Sequence, residues 1–313
     1  MTNYHYEKSW PKDGLSVSCF VHELMNYRYH WHSDSYELIL LLTGELEFVR
    51  GDKIYYLDAG DLVITGPLVG HSSFALQPHS QALVVQFSAK SFAQFLKKDT
   101  LFDFPDCVSC KENRQDKKYR LIRRYASQLY LAGTGNSPYG DLMVKGCLEM
   151  LIATLCEYCS PVLISHQEEN ESQRKLTESL VTYINEHYNE KVTLQDLADY
   201  CQYNRTYIST LFKNVIGVNF HEYLTKTRFE KALFQLTVTD KTLTAIAIDN
   251  GFTDLKTFNR LFQDILHRSP AKYREQLLTH GFSDRTTLIT YGKTRRYLSA
   301  EDPELRRKLE EYI

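Results

Sequence analysis

From residue 17 to about 88 the apolar positions fall in short or alternating runs, "YELILLLTGELEFV", "IYYLDAGDLVI" and "ALVVQF", separated by the turn residues of "RGDK" and "TGP". Runs of about four to eight residues rich in Val, Ile, Leu, Tyr and Phe, cut by Gly, Asp and Pro, predict consecutive antiparallel strands. A small barrel or sandwich is the expected outcome. Near residue 91 the period changes. "KKYRLIRRYASQLYL" and "YGDLMVKGCLEMLIATLCEY" space Leu121, Tyr125 and Leu129, then Met143, Cys147, Met150, Leu151, Thr154 and Leu155, at helical intervals, with "AGTGNSPYG" as the turn between them. "SHQEENESQ" is polar throughout and marks a linker, after which the pattern is helical. The expected division is a β domain over residues 1–90, a helix pair over 91–165, a linker over 166–173, an all-α module over 174–275 and a C-terminal extension over 276–313. The fold class is therefore α+β in two domains, and "SAEDPELRRKLEEYI" should close the chain in a short helix begun by Asp302 and Pro303.

The helical module repeats itself. "TLQDLADYCQYNRTYISTLFKNVIG" (193–217) aligns with "TLTAIAIDNGFTDLKTFNRLFQDILH" (242–267). In the second half of each copy the apolar positions coincide at an offset of fifty: Ile208 with Phe258, Leu211 with Leu261, Phe212 with Phe262, Val215 with Ile265. The first halves match at forty-nine, so the turns differ by one residue. Each copy carries the signals of two short helices and a tight turn. Thr193 with Asp196 has the pattern of a capping box, Thr242 is the N-cap candidate of the second copy, and Asn204 suits the cap of the next helix. Gly217 can end that helix in the left-handed conformation, with His267 as its counterpart.

On a helical wheel Ile208, Leu211, Phe212 and Val215 fall on one side, so Thr206, Thr210 and Lys213 point away. Lys256, Arg260 and Gln263 occupy the same three stations in the second copy. Hydroxyl, amide, guanidinium and ammonium groups on one exposed stripe equip a helix to enter a DNA major groove. Arg205, Thr206, Ser209 and Thr210 are expected to read one groove segment, and Lys256, Asn259 and Arg260 the next, with Lys213 and Gln263 meeting phosphates. "NFHEYLTKTRFEKALFQL" (219–236) predicts a connecting helix of roughly 27 Å, near the roughly 34 Å between successive major-groove faces. Lys226, Arg228 and Lys231 on that helix, with Arg268, Lys272 and Arg274 beyond it, are further phosphate candidates. The partner these stripes imply is double-stranded DNA.

Charge agrees with that division. Residues 174–275 hold 14 Lys and Arg against 12 Asp and Glu, whereas residues 1–173 hold 16 against 21. No run of about eighteen apolar residues exists that could span a bilayer, and the start of the chain lacks a signal-peptide pattern, so a cytoplasmic protein without membrane contact is expected. Seven cysteines in such a chain read as reduced thiols. The pairs "CVSC" (Cys107, Cys110) and "CEYC" (Cys156, Cys159) stand too far apart for a usual thiolate zinc site, and the second lies on a predicted helix, where thiols pack as small apolar groups.

Residues 174–275 resemble the DNA-binding domain of the AraC/XylS family of bacterial transcription regulators, through "LADYCQYNRTYISTLFKNVIG", "IAIDNGFTDLKTFNRLF" and "SPAKYR". Asn204 and Lys256 stand where the family usually has serine, Thr210 where it often has arginine, and His267 where glycine is usual; these departures bear on the DNA sequence read. The N-terminal strands are similar to the cupin-like sensor domain that many of these regulators carry. The resemblance implies a cupin-like antiparallel β-barrel, homodimerisation through the helix pair, a small-molecule effector and, for an activator, contact with RNA polymerase.

The stretch "HWHSDSYE" (30–37) sets His30 and His32 two apart, on one face of a strand, with Glu37 following. The resemblance extends to metal-binding cupins, whose ligand spacing is matched by His30, His32, Glu37, Gly44 and, in "PLVGH", His71. A mononuclear metal ion is one reading. A second is effector binding, with imidazoles and a carboxylate bonded to sugar hydroxyls beside the rings of Trp31 and Tyr36, and Tyr27, Tyr29, Tyr55 and Tyr56 close in sequence. Structural hydrogen bonding is a third. The effector reading is carried forward: His30, Trp31, His32, Tyr36, Glu37 and His71 bind a sugar or glycoside, and no cofactor is expected other than that metal ion. No nucleophile–base constellation or phosphate loop supports catalysis. The expected function is thus a sequence-specific DNA-binding regulator and not an enzyme. The alternative is a metal-dependent cupin enzyme or metal sensor with an appended helical domain.

Overall fold

The alternating runs form strands and the helical runs helices, in a computed structural model that describes residues 5–23, 26–51, 53–77, 79–97, 100–165, 168–216, 218–279, 288–290 and 293–313. The β part holds β1 (His5–Trp10), β2 (Leu15–Glu23), β3 (Asn26–His30), β4 (Ser35–Thr43), β5 (Glu45–Arg50), β6 (Lys53–Asp58), β7 (Leu62–Thr65), β8 (His71–Ala75), β9 (Gln81–Ser88) and β10 (Thr100–Asp103). The helix pair is α1 (Lys117–Thr134) and α2 (Gly140–Tyr158), followed by β11 (Val162–Ser165). The C-terminal module comprises α3 (Glu168–His187), α4 (Leu194–Cys201), α5 (Arg205–Ile216), α6 (Phe220–Val238), α7 (Leu243–Asp249), α8 (Leu255–Leu266) and α9 (Pro270–Thr279). The chain closes with β12 (Leu288–Thr290), β13 (Lys293–Tyr297) and α10 (Pro303–Glu310).

Two antiparallel sheets face each other, one in the order β12-β13-β2-β9-β4-β7 with β1 added on β2, the other in the order β3-β8-β5-β6. The strand β4 shows how side chains are sorted. Leu38, Leu40 and Leu42 join the buried cluster shared with α1 and α2, while Ile39 and Leu41 join Leu46, Phe48 and Leu57 between the sheets. Successive strand residues point to opposite faces, so a strand covered on both sides reads as a continuous apolar run. Gly44 is the single residue between β4 and β5; its φ of 82° and the 2.1 Å that would separate an added Cβ from Ser80 Oγ leave room for no side chain.

The extension returns to the N-terminal body. Within it β13 pairs with β2, the Leu298 amide donates to the Val21 carbonyl at 2.9 Å, and α10 buries Leu305 and Leu309 in the cluster of α1 and α2. Asp302 caps α10 by accepting from the amides of Glu304 and Leu305, as the Asp-Pro start predicts. Two expected boundaries are different: the helix pair begins only at Lys117, with β10 lying in the stretch before it, and the polar stretch read as a linker is already helical from Glu168, because Glu, Gln, Arg and Lys favour helix and neither Gly nor Pro interrupts them. Among the described residues no helix is long and apolar enough to cross a membrane.

In the module the expected caps form. Thr193 and Asp196 make the reciprocal capping box, Thr242 Oγ1 accepts from the Ala245 amide at 3.2 Å, and Asn204 Oδ1 accepts from the Tyr207 amide at 2.7 Å. Asp254 plays the part of Asn204 in the second unit, accepting from the Thr257 amide at 2.6 Å. His267 ends α8 in the left-handed region, with φ 52°, while Gly217 lies outside the described residues. Each unit has its own core, Leu197, Ile208, Phe212 and Ile216 in the first and Ile246, Phe258, Phe262 and Leu266 in the second. The nineteen residues of α6 connect them over roughly 28 Å.

Candidate functional site

The two stripes predicted for α5 and α8 are exposed. Arg205, Thr206, Ser209, Thr210 and Lys213 project from α5 while Ile208, Leu211, Phe212 and Ile216 bury its other face. Lys256, Asn259, Arg260 and Gln263 do the same on α8, opposite Phe258, Phe262 and Leu266. All nine residues are exposed.

The connecting cations are placed differently from the expectation. Lys226 Nζ lies 2.7 Å from Glu47 Oε1 on β5, so the N-terminal domain holds it. Arg228 donates to the carbonyls of Tyr188 and Glu190, each at 2.7 Å, and ties α6 to the end of α3. The ammonium of Lys231 sits 5.7 Å from the centre of the Tyr188 ring. Arg228 is therefore a structural clasp, with Nε and one terminal nitrogen bonded to carbonyls, rather than a phosphate ligand. Lys272 is exposed on α9.

A second constellation lies between the sheets. His30 and His71, paired across β3 and β8, Glu37 on β4 and His32 just beyond β3 bring one ligand atom each to within 4.8 Å of one another. Among the described residues this is the group of His, Cys, Asp and Glu side chains with metal-holding geometry. Glu37 is its centre: Oε1 lies 3.1 Å from His71 Nε2, and Oε2 lies 3.3 Å from His32 Nε2 and 2.6 Å from the Gln86 amide that donates to it. Burial alone would push the Glu37 carboxyl up, yet hydrogen bonds from His32 and His71 and the charge of His71 and His30 hold it well below the usual carboxylate range.

The fourth member, His71, is oriented by its backbone. Its Nδ1 is 3.0 Å from the Val69 carbonyl, which only accepts, so Nδ1 carries a proton and Nε2 is the atom turned to Glu37. A bond from the far ring nitrogen to a carbonyl is the usual support of a metal-ligating histidine. A cation taken up between them would replace the proton that Nε2 shares with the carboxylate, so the donor set fits a divalent metal. His71 and Glu37 are buried, at 1% and 7% exposure, whereas His30 and His32 are partly open, giving a ligand its way in.

Two residues expected at this site are elsewhere. Tyr36 is fully buried in the cluster of α1 and α2, stacked 5.2 Å from Phe87, and its hydroxyl donates to the Phe102 carbonyl at 2.6 Å. As the strand neighbour of Glu37 it must point to the opposite face. Trp31, between two histidines of the site, packs instead against the core of α3 to α6. The side chains of Tyr27 and Tyr29 lie outside the described residues, and Tyr56 is 66% exposed. Sequence reasoning missed Gln86, which reaches Glu37 because β9 and β4 pair them directly, and Phe48, which stacks 5.9 Å from His71. The cysteine pairs form no four-thiol site: Cys107 and Cys159 approach to 3.0 Å in the buried core, and Cys110 and Cys156 are partly exposed.

The fold and these two sites define a ligand-binding β domain joined to a double helix-turn-helix module. In family comparison the AraC-like ligand binding domain matches residues 17–180 and a helix-turn-helix domain matches residues 197–276. The chain belongs to the AraC family. It is 25% identical over 263 residues to an uncharacterised HTH-type transcriptional regulator of Staphylococcus aureus (strain COL), covering 80% of this chain and 34% of that protein. This chain thus spans about a third of that relative's length. It is 23% identical to the Msm operon regulatory protein of Streptococcus mutans, covering 78% of this chain and 85% of that protein. Among solved structures it is similar to an AraC-type regulator from Chromobacterium violaceum (27% identical, TM-score 0.33, 36% of this chain and 98% of that one). It is also similar to ToxT from Vibrio cholerae O395 (12%, TM-score 0.38, 84% and 98%).

Proposed function

We propose that this chain is a sequence-specific DNA-binding transcription regulator whose N-terminal domain is controlled by a ligand held at His30, His32, Glu37 and His71. The observation that carries the DNA reading is the pair of exposed polar stripes on α5 and α8, each on a capped helix whose other face is buried. Arg205, Thr206, Ser209 and Thr210 take one stretch of major groove and Lys256, Asn259 and Arg260 the next, with Lys213 and Gln263 on phosphates. A gel shift with genomic fragments, followed by footprinting, tests this directly.

The effector is a small molecule, for which a sugar or glycoside remains the first reading: imidazoles, a carboxylate and the Gln86 amide suit hydroxyl groups. A second reading, a divalent cation, is favoured by the convergence of donor atoms within 4.8 Å and by the placement of Trp31 and Tyr36, two rings expected to stack on a sugar, away from the site. Thermal unfolding against a carbohydrate panel and a panel of divalent cations separates the two, since a ligand that binds the folded state raises Tm. A sugar-dependent rise lost in His71→Ala supports the first; a cation-dependent rise reversed by a chelator and lost in the same variant supports the second. Indifference to both panels would remove the cluster as a ligand site. As a homodimer the protein would pair through α2, whose outward face carries Leu142 and Met150 at 70% and 48% exposure. An activator would in addition contact RNA polymerase.

A further inference from the structure

Cys107 and Cys159 are 52 residues apart in the chain, yet their sulfurs lie 3.0 Å from each other in the core that Phe104, Tyr119 and Leu155 share. A disulfide holds its sulfurs at about 2.05 Å, so roughly 1 Å of movement separates the pair from a covalent bond. Cysteines that serve only as small apolar groups turn their sulfur to carbon; here each sulfur is the hydrogen-bond partner of the other. The Cys107 thiol donates to Cys159, and this bond, with the charge of Lys118, holds Cys159 below the ordinary thiol range while it pushes Cys107 well above. Cys159 is therefore the thiolate of the pair, and the thiolate is the nucleophile. Cys159 also closes α2, through its amide to the Leu155 carbonyl at 3.1 Å, and is followed by the exposed Ser160 at φ 47°. The last turn of a helix frays, so a reagent little larger than water reaches this sulfur by loosening that turn alone.

We propose that Cys107 and Cys159 are a redox-active site, which hydrogen peroxide converts reversibly into an internal disulfide. The Cys159 thiolate attacks one oxygen of the peroxide; the O–O bond breaks, the other oxygen leaves as hydroxide, and Cys159 becomes a sulfenic acid. The Cys107 sulfur then attacks the Cys159 sulfur, the S–S bond forms as the S–O bond breaks, and the departing hydroxide takes the Cys107 proton as water. The proton that Cys159 had already lost joins the first hydroxide. Two thiols thus give up two electrons, the peroxide accepts them, and the products are one disulfide and two waters. The bond joins two structural lines. On one side the segment around Cys107 is stitched to β7: the Cys107 carbonyl accepts from the Ile64 amide at 3.2 Å, Val108 bridges Val63, and the Ser109 amide donates to the Leu62 carbonyl at 2.8 Å. The same strand sets Thr65 beside Glu37 of the ligand cluster. On the other side α2 ends at Cys159 and α3 begins at Glu168, so the disulfide fixes the exit of the sensor to a strand that neighbours the cluster.

The test is thiol mapping on the full-length protein. The reduced chain, with its seven cysteines, is treated under native conditions with a few equivalents of hydrogen peroxide, then denatured and alkylated, and the remaining thiols are counted by mass. The expected result is the loss of two thiols, recovered as one cross-linked peptide pair that holds Cys107 and Cys159. Tm should rise by about 5–10 °C, since a long loop is closed. Reduced glutathione should then reopen the bond in the folded protein, as it does for regulatory disulfides and not for structural ones. The double variant Cys110→Ser/Cys156→Ser keeps both buried thiols and should behave as the wild type. Cys107→Ala, which leaves a small apolar group in the core, should lose both the cross-link and the rise in Tm, and should leave Cys159 as a sulfenic acid that dimedone traps. A cross-link through Cys110 or Cys156, a bond between chains, retention of every thiol, or a Cys107–Cys159 bond that glutathione leaves closed would each overturn the site. None of these readouts involves the ligand cluster or DNA, so the site stands or falls separately from the function proposed above.

Discussion

At the residue scale, adjacent side chains here do different work because the backbone sends them to different faces. Tyr36 and Glu37 are neighbours in sequence, yet one is core and the other the centre of the ligand cluster. Trp31 lies between His30 and His32 and packs on the DNA-binding module while they face the cluster. The exposed guanidinium of Arg260 has no such second task, so its removal should register in DNA recognition alone. Arg260→Ala is expected to weaken specific binding by about 1–3 kcal/mol and to relax one base position, leaving Tm unchanged. Binding titrations against single-base variants of the operator check this, and an equal loss on every sequence would make Arg260 a phosphate contact instead.

At the scale of elements, the end of β3 is the piece that touches both the cluster and the first helix-turn-helix unit. Trp31→Ala should leave ligand binding at the histidines intact, read as the same ligand-induced rise in Tm. It should nevertheless remove most of the ligand's effect on DNA affinity, a coupling of about 1–3 kcal/mol in typical allosteric proteins. Undiminished coupling in this variant would place the transmission elsewhere. Much of the element structure was legible beforehand, because its signals are local. Thr193, Asn204, Thr242 and Asp302 cap the helices they were expected to cap, and of the apolar pairs shared by the two repeats Ile208 with Phe258 and Phe212 with Phe262 are fully buried, while Val215 and Ile265 are half-buried. The cluster was legible too, since His30 and His32 stand two apart and the cupin resemblance supplied Glu37 and His71 by spacing. Trp31 and Tyr36 were misplaced although the same alternation excludes them once their neighbours are assigned to the site. Gln86, Glu47 and Phe74 were illegible for a deeper reason: their partners depend on strand register and domain contact, which link residues far apart in the chain. For the same reason Lys226 and Arg228 read as free cations.

At the scale of the whole molecule, among the described residues the module meets the sensor across the sheet face of β5 and β8, and the extension pairs with β2 and packs on α1. Such an arrangement suits a domain whose position is regulated. The proposed homodimer would pair through the exposed apolar residues of α2. Met150→Asp, which puts a charge among them, should convert a dimer into a monomer by sedimentation without loss of Tm, and a persistent dimer would move the interface off α2. The central claim is that one chain lays α5 and α8 into neighbouring stretches of major groove. A hydroxyl-radical footprint of the protein on its operator tests it most directly. Protection in two patches about 10 base pairs apart on one face of the duplex is the predicted result for each chain, with the patch nearer α8 lost in Arg260→Ala and the other retained. Protection confined to a single turn per chain would contradict the account.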